Sequence, residues 1–204
     1  VSEEQGTQTR ETSNEFEKSI SAQRELIYEE RNHILNMTKI EHQQLESIAH
    51  EVFTTLVKKA TVSEGMLIDY IYKNLSFQFT SEISALNLNN SDEVIQYLMQ
   101  LFEEQLQYQQ AKLNTYFYTQ FVQKAILKAV DSNWIKQVDH LQKLKSSVNA
   151  RQNGKRNPIF EYHRVALESF ELMREAIKKD IVKYLCQSIT GFDEKDRLIV
   201  HFPN

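Results

Sequence analysis

Scarcity of glycine and proline constrains this chain more than any other feature: its 204 residues include four Gly and two Pro. These residues punctuate helices and strands, and an average chain carries several times as many, so long unbroken elements are expected. The stretch 92–150 contains neither and is rich in Gln, Leu, Lys, Glu and Ala, residues that lose little rotamer freedom in a helix. An all-α fold follows. With 41% apolar residues the chain can fill one large or two small cores.

The apolar positions recur at helical spacing. Phe16, Ile20, Ile27, Ile34 and Leu35, with Leu26 alongside, predict a helix over 10–36, and the bend at Asn36, Met37 and Thr38 leads to a second helix carrying Leu45, Ile48, Val52, Phe53, Leu56 and Val57. That helix is expected to end near 61–65, before a short apolar segment over 66–75. Ser91 is expected to cap the next helix, with Asp92 and Glu93 in the first turn where the dipole favours acids. Its stripe is Val94, Tyr97, Leu98, Leu101, Phe102 and Leu106, and it either runs on or breaks near Asn114. The longest stripe follows, from Val122 through Ala129, Val130, Trp134 and Leu141 to Val148. Turn residues fill 151–157, and Asn157 before Pro158 reads as an N-cap with Pro in the first helical position. The return helix carries Tyr162, Ala166, Phe170, Met173, Ile177, Ile181 and Leu185 and is expected to stop at Thr190 and Gly191. Two such helices joined by a short loop bury their stripes on each other as an antiparallel hairpin about 45 Å long at 1.5 Å per residue. Trp134, Leu141 and Phe170 are read as its packed core. Leu198, Ile199 and Val200 in the tail read as a short strand or a docked end.

Charge is unevenly spread. Residues 1–36 hold eight acids and four bases, which accounts for the whole net charge of −4. Conversely, 143–156 contains Lys143, Lys145, Arg151, Lys155 and Arg156 and no acid, a basic patch at the hairpin end. The patch is read as a contact for a protein or an acidic membrane surface rather than as a merely solvated tip. Nucleic acid is set aside, because five charges without an aromatic stacking platform make a poor phosphate-binding surface.

Little points to catalysis or metal binding within the chain. Glu30 and His33 form one Glu-x-x-His pair of the kind di-iron bundles use, but no second copy accompanies it, and a solvated helix face is the reading taken. His42 and His50 lie two turns apart rather than at the spacing that lets imidazoles share an ion, and the six His are read as surface residues. Cys186 is alone, so it builds neither an intrachain disulfide nor a thiolate zinc site. No Gly-rich phosphate loop appears, and no catalytic, cofactor or metal residue is assigned. Apolar runs near eighteen residues are absent, as is a signal segment, which places the chain in the cytoplasm. A start at Val1 in polar sequence of helical character leads to the expectation that the numbering begins inside a longer protein.

Asp131, Ser132, Asn133 and Trp134, followed by Arg151, Pro158, Glu161 and Tyr162, make up a segment that resembles the SecA family, which carries an Asp-Ser-x-Trp helix, a short basic turn with Pro, and a Glu-Tyr opening the return helix. Arg10, Glu15, Phe16, Gln23, Arg24, Ile27, Tyr28, Arg31 and Asn32 look like the scaffold helix of the same family. The resemblance implies a helical scaffold over 1–36, a helical wing domain over 37–114, scaffold with a two-helix finger over 115–190, and a tail over 191–204. It implies that Arg151, Gln152, Asn153, Gly154, Lys155 and Arg156 form a finger tip facing the exported preprotein and the SecY-type channel. ATP and Mg²⁺ would belong to motor domains outside this chain, which would be inactive alone and peripherally associated with the cytoplasmic membrane through its parent. Asn153 in place of a tip aromatic, Glu17 and Lys18 in place of an acidic pair, and no Cys-and-His zinc tail together look like an accessory SecA of Gram-positive bacteria. The rival reading from composition alone is a free-standing helical adaptor that binds partner helices.

Overall fold

The computed structural model describes residues 2–59, 61–77, 81–150 and 157–204. Its helices are α1 Ser2–Asn36, α2 His42–Lys59, α3 Glu64–Asn74, α4 Ser91–Lys112, α5 Thr115–Ala150 and α6 Pro158–Gln187, with a 3-10 turn at Ser81–Ala85. One antiparallel strand pair, β1 Ile189–Phe192 and β2 Leu198–His201, completes an otherwise all-α fold.

Side-chain caps account for most of the helix starts. Ser63 Oγ accepts from the Met66 amide at 3.2 Å and begins α3. Asn90, not Ser91, caps α4: its Oδ1 accepts from the amides of Asp92 at 3.2 Å and Glu93 at 3.4 Å, leaving Ser91 as the first helical residue. Asn is at least as good a cap as Ser, and the preceding Asn-rich turn already holds this residue in extended backbone. The chain breaks between α4 and α5, where Asn114 Oδ1 accepts from the Phe117 amide at 2.9 Å. Asn157 does the same for α6, accepting from the Ile159 amide at 3.0 Å.

The end of α6 differs from expectation. The helix stops at Gln187, and Thr190 and Gly191 lie in β1, paired with Val200 and Ile199. Two short runs with β-branched residues face each other here, and Asp193 closes the turn between them by accepting from the Lys195 and Arg197 amides at 2.9 Å each. Asp196 sits at φ 54, a left-handed conformation that Asp tolerates better than most residues. The backbone and side-chain hydrogen bonds of Arg197 hold the Asp193 carboxyl below its ordinary range.

The chain divides into two compact units, one formed by Val1–Leu35 with Val130–Ala176 and the other by Asn36–Ala129 with Ile177–Asn204. In the first, Phe16 and Ile20 of α1 pack with Leu141 and Val148 of α5 and Tyr162 and Ala166 of α6. Fully burying a side chain such as Leu or Phe contributes roughly 1.5–3 kcal/mol, so this cluster is a substantial part of that unit's stability. In the second unit α2 packs on α4, with Phe53 edge-on to Phe102 at 6.4 Å and to Tyr70 of α3 at 6.3 Å. The strand pair is tied to the same unit by polar contacts. Gln109 Nε2 donates to the Ser188 carbonyl at 2.9 Å, Lys124 Nζ to the Leu198 carbonyl at 2.9 Å, and the Phe117 and Phe192 rings meet at 4.8 Å.

Candidate functional site

The two helices assigned to the finger are α5 and α6, and within the first unit they form a bundle with α1. Successive contacts set the directions. Lys145, Gln137 and Asp131 of α5 meet Glu17, Gln23 and Arg31 of α1, so these two helices run antiparallel. His163, Ala166 and Arg174 of α6 meet Ser19, Gln23 and Glu30 of α1, so α6 runs parallel to α1. The hairpin therefore does not bury its stripes on itself alone, because α1 supplies the third face.

A polar layer crosses this bundle. Gln23 is 8% exposed and Gln137 4% exposed, depths that demand hydrogen bonds for their amides. Gln23 Nε2 donates to the Ala166 carbonyl at 3.0 Å, and Gln137 Nε2 donates to Gln23 Oε1 at 3.0 Å and to Ser169 Oγ at 2.9 Å. Ser169 Oγ returns a bond to the Ala166 carbonyl at 3.0 Å, so all three helices share one network. A layer like this penalises register slip, since sliding any helix by a turn would leave buried amides unpaired. Sequence reading missed it. The available signal was a Gln standing between Ile20 and Ile27 at helical spacing on an otherwise apolar face.

Leu141 and Phe170 are buried, as are Ala129 and Val130, whereas Trp134 is only half-buried. Trp134 lines an open groove with Tyr28, Arg31, Asn32, Asp131 and Ile135, so the expectation of an enclosed indole is corrected. At this position the groove holds the Arg31 to Asp131 ion pair, at 2.9 Å, and the exposed Tyr28 and Ile135, which leave the indole partly open. That pairing and the charge of Asp131 hold the Arg31 guanidinium more firmly protonated than usual.

Arg151, Gln152, Asn153, Gly154, Lys155 and Arg156 lie outside the described residues. The described end of the basic stretch is partly neutralised by acids from beyond it: Lys143 Nζ pairs with Asp139 at 2.6 Å and Lys145 Nζ with Glu17 at 2.7 Å. Glu30 pairs with Arg174 at 2.5 Å, and His33 is exposed.

The third helix, α1, packs along the antiparallel pair of α5 and α6, and a shared polar layer joins all three. The family described as SecA Wing and Scaffold domain matches residues 1–188. The chain belongs to the SecA wing and scaffold family. It is 49% identical over 205 aligned residues to the "Protein translocase subunit SecA 2" of Staphylococcus aureus strain Newman, covering 100% of this chain and 26% of that protein. The proteins of the same name from strains NCTC 8325 / PS 47 and COL show the same identity and coverage. The chain thus spans about a quarter of the length of the curated relatives it matches. In this SecA-family chain, no helix among the described residues is long and apolar enough to cross a membrane.

Proposed function

We propose that this chain is the wing-and-scaffold portion of an accessory SecA-type preprotein translocase, coupling ATP-driven movement elsewhere in the parent protein to export through a SecY-type channel. In this reading 1–36 and 115–190 are scaffold, 37–114 is the wing, and 191–204 is the tail. The observation that carries it is the bundle of α1, α5 and α6, whose shared polar layer makes a displacement of the long α1 helix a displacement of the hairpin. The relatives' printed name, SecA 2, supports the accessory assignment.

The loop Arg151, Gln152, Asn153, Gly154, Lys155 and Arg156 then meets the exported polypeptide and the channel, with an acidic membrane surface as a further contact. ATP and Mg²⁺ are held by the parent's motor domains, with no cofactor in this chain, and the parent works at the cytoplasmic face of the membrane. Three of the six loop residues are cationic, and like charges at a docking surface cost affinity.

The test is reversal of Arg151, Lys155 and Arg156 to Glu in the full-length translocase. Export is expected to fall, while melting of the variant stays within about 0.5 kcal/mol of the parent, the usual range for surface changes. Asn153→Cys is expected to crosslink to the preprotein or the channel in a stalled complex. Normal export by the triple variant together with no crosslink from position 153 overturns the finger reading and leaves a helical adaptor in its place.

A further inference from the structure

Three potential metal ligands converge in the second unit, on a face where the sequence alone shows scattered charges. His42 opens α2, and Glu46 stands four residues later on the same helical face, as i and i+4 side chains do. Glu103 reaches them from α4. His42 Nε2 lies 2.8 Å from Glu103 Oε2 and 3.6 Å from Glu46 Oε1, and the three ligand atoms all fall within 4.8 Å of one another.

Two further features distinguish this cluster from an ordinary surface ion pair. Glu103 Oε2 is buried and has no aligned hydrogen bond, so its 2.8 Å approach to the imidazole is not that of a donor aimed at an acceptor. A buried carboxylate oxygen without a donor is a costly arrangement that an ion or bridging water relieves. The Tyr118 hydroxyl, on a residue 9% exposed, is also buried without an aligned hydrogen bond, and the charge of Glu103 reaches it.

The spacing has a definite scale. Tetrahedral ligands at the 2.0–2.1 Å bond lengths of Zn²⁺ stand about 3.3 Å apart. The two contacts of His42 Nε2, 2.8 Å and 3.6 Å, bracket that value. Two carboxylates carry the charge that a dication neutralises, and the imidazole favours Zn²⁺ and its neighbours over Mg²⁺ or Ca²⁺, which take oxygen ligands. We propose that His42, Glu46 and Glu103 bind one divalent transition-metal ion of the Zn²⁺ class, with water completing its coordination, and that the ion staples α2 to α4.

Titration of the full 204-residue chain with Zn²⁺, and with Co²⁺ as a spectroscopic probe, tests the site. One equivalent is expected to bind in the presence of excess Mg²⁺, to raise the melting midpoint, and to give visible Co²⁺ absorption. His42→Ala, Glu46→Gln and Glu103→Gln are each expected to weaken binding by about tenfold or more, since even the loss of an outer partner costs 10–100-fold. The ligand side chains are half-buried, so each variant is expected to keep its helical circular dichroism and its melting in chelator. Absence of stoichiometric binding overturns the proposal. So does unchanged affinity in any one variant, because that residue is then no ligand and the ion sits on other histidines.

Discussion

Tyr162 shows how much one side chain can combine. It is 0% exposed, and its ring centroid lies 4.1 Å from that of Phe16, yet its hydroxyl has no hydrogen-bond partner among the described residues. The ring is the gain and the hydroxyl is the cost. Removing a buried polar group that makes no hydrogen bond is neutral or favourable, so Tyr162→Phe is expected to leave unfolding stability unchanged or raise it by about 1 kcal/mol. Burial pushes the phenol up to about 12, with the charge of Glu17 as the second cause. The folded value then exceeds that of the unfolded chain, where Tyr titrates near 10. The stabilising contribution is fully present below about pH 10 and is lost as pH rises from there through the folded value, because the unfolded phenol ionises first. Denaturant unfolding followed from neutral to strongly alkaline pH checks this. The parent chain should lose stability more steeply than Tyr162→Phe above about pH 10, and a variant clearly less stable at neutral pH would reveal a hydroxyl partner instead.

At the scale of elements, the layer of Gln23, Gln137 and Ser169 decides how α1, α5 and α6 align. Each Gln satisfies another buried group, so replacing one alone strands its partner. Gln137→Leu is expected to cost about 1–3 kcal/mol, the penalty of an unsatisfied buried amide. Gln23→Leu should cost a similar amount, since it takes an acceptor from the buried Gln137 amide, while the Ala166 carbonyl keeps its bond from Ser169 Oγ. The double variant Gln23→Leu with Gln137→Leu should cost less than the sum, because the second change removes the group that the first left unpaired. Chemical denaturation of the four proteins measures this coupling. Strict additivity would mean that the two amides do not act as one layer. By contrast, the pairs at the rim of the bundle, such as Lys145 with Glu17, are exposed on at least one side and matter less to the register.

For the whole molecule, the prediction is set by the absence from its sequence of a Gly-rich phosphate loop with its Lys, and of an acidic pair placed for Mg²⁺. Isothermal titration of the chain with ATP and Mg²⁺ is expected to show no micromolar binding. Binding at that level would place nucleotide recognition inside the wing and scaffold and would undo the proposed division of labour with the parent's motor domains.

The helix content, most helix boundaries and the buried stripes of α4 and α6 were legible in the sequence, since Gly and Pro scarcity, caps and apolar period are local properties. All seven stripe residues named for the return helix, from Tyr162 to Leu185, are buried. The expected end of α6 was wrong by a few residues because strand pairing with Leu198, Ile199 and Val200 across a short turn overrides the stop signal at Thr190 and Gly191. Trp134 was misjudged for a related reason: periodicity says that a residue lies on the apolar face, but which neighbour sits opposite it depends on where α1 passes. The glutamine layer and the convergence of His42, Glu46 and Glu103 are likewise matters of which helix faces which. The sequence by itself determined which segments are helical and which side of each is apolar, because backbone propensity and side-chain period act within a few residues. Only the tertiary structure decided which polar side chains meet, because residues as distant as Gln23 and Gln137 become neighbours only when packing has set the helix register.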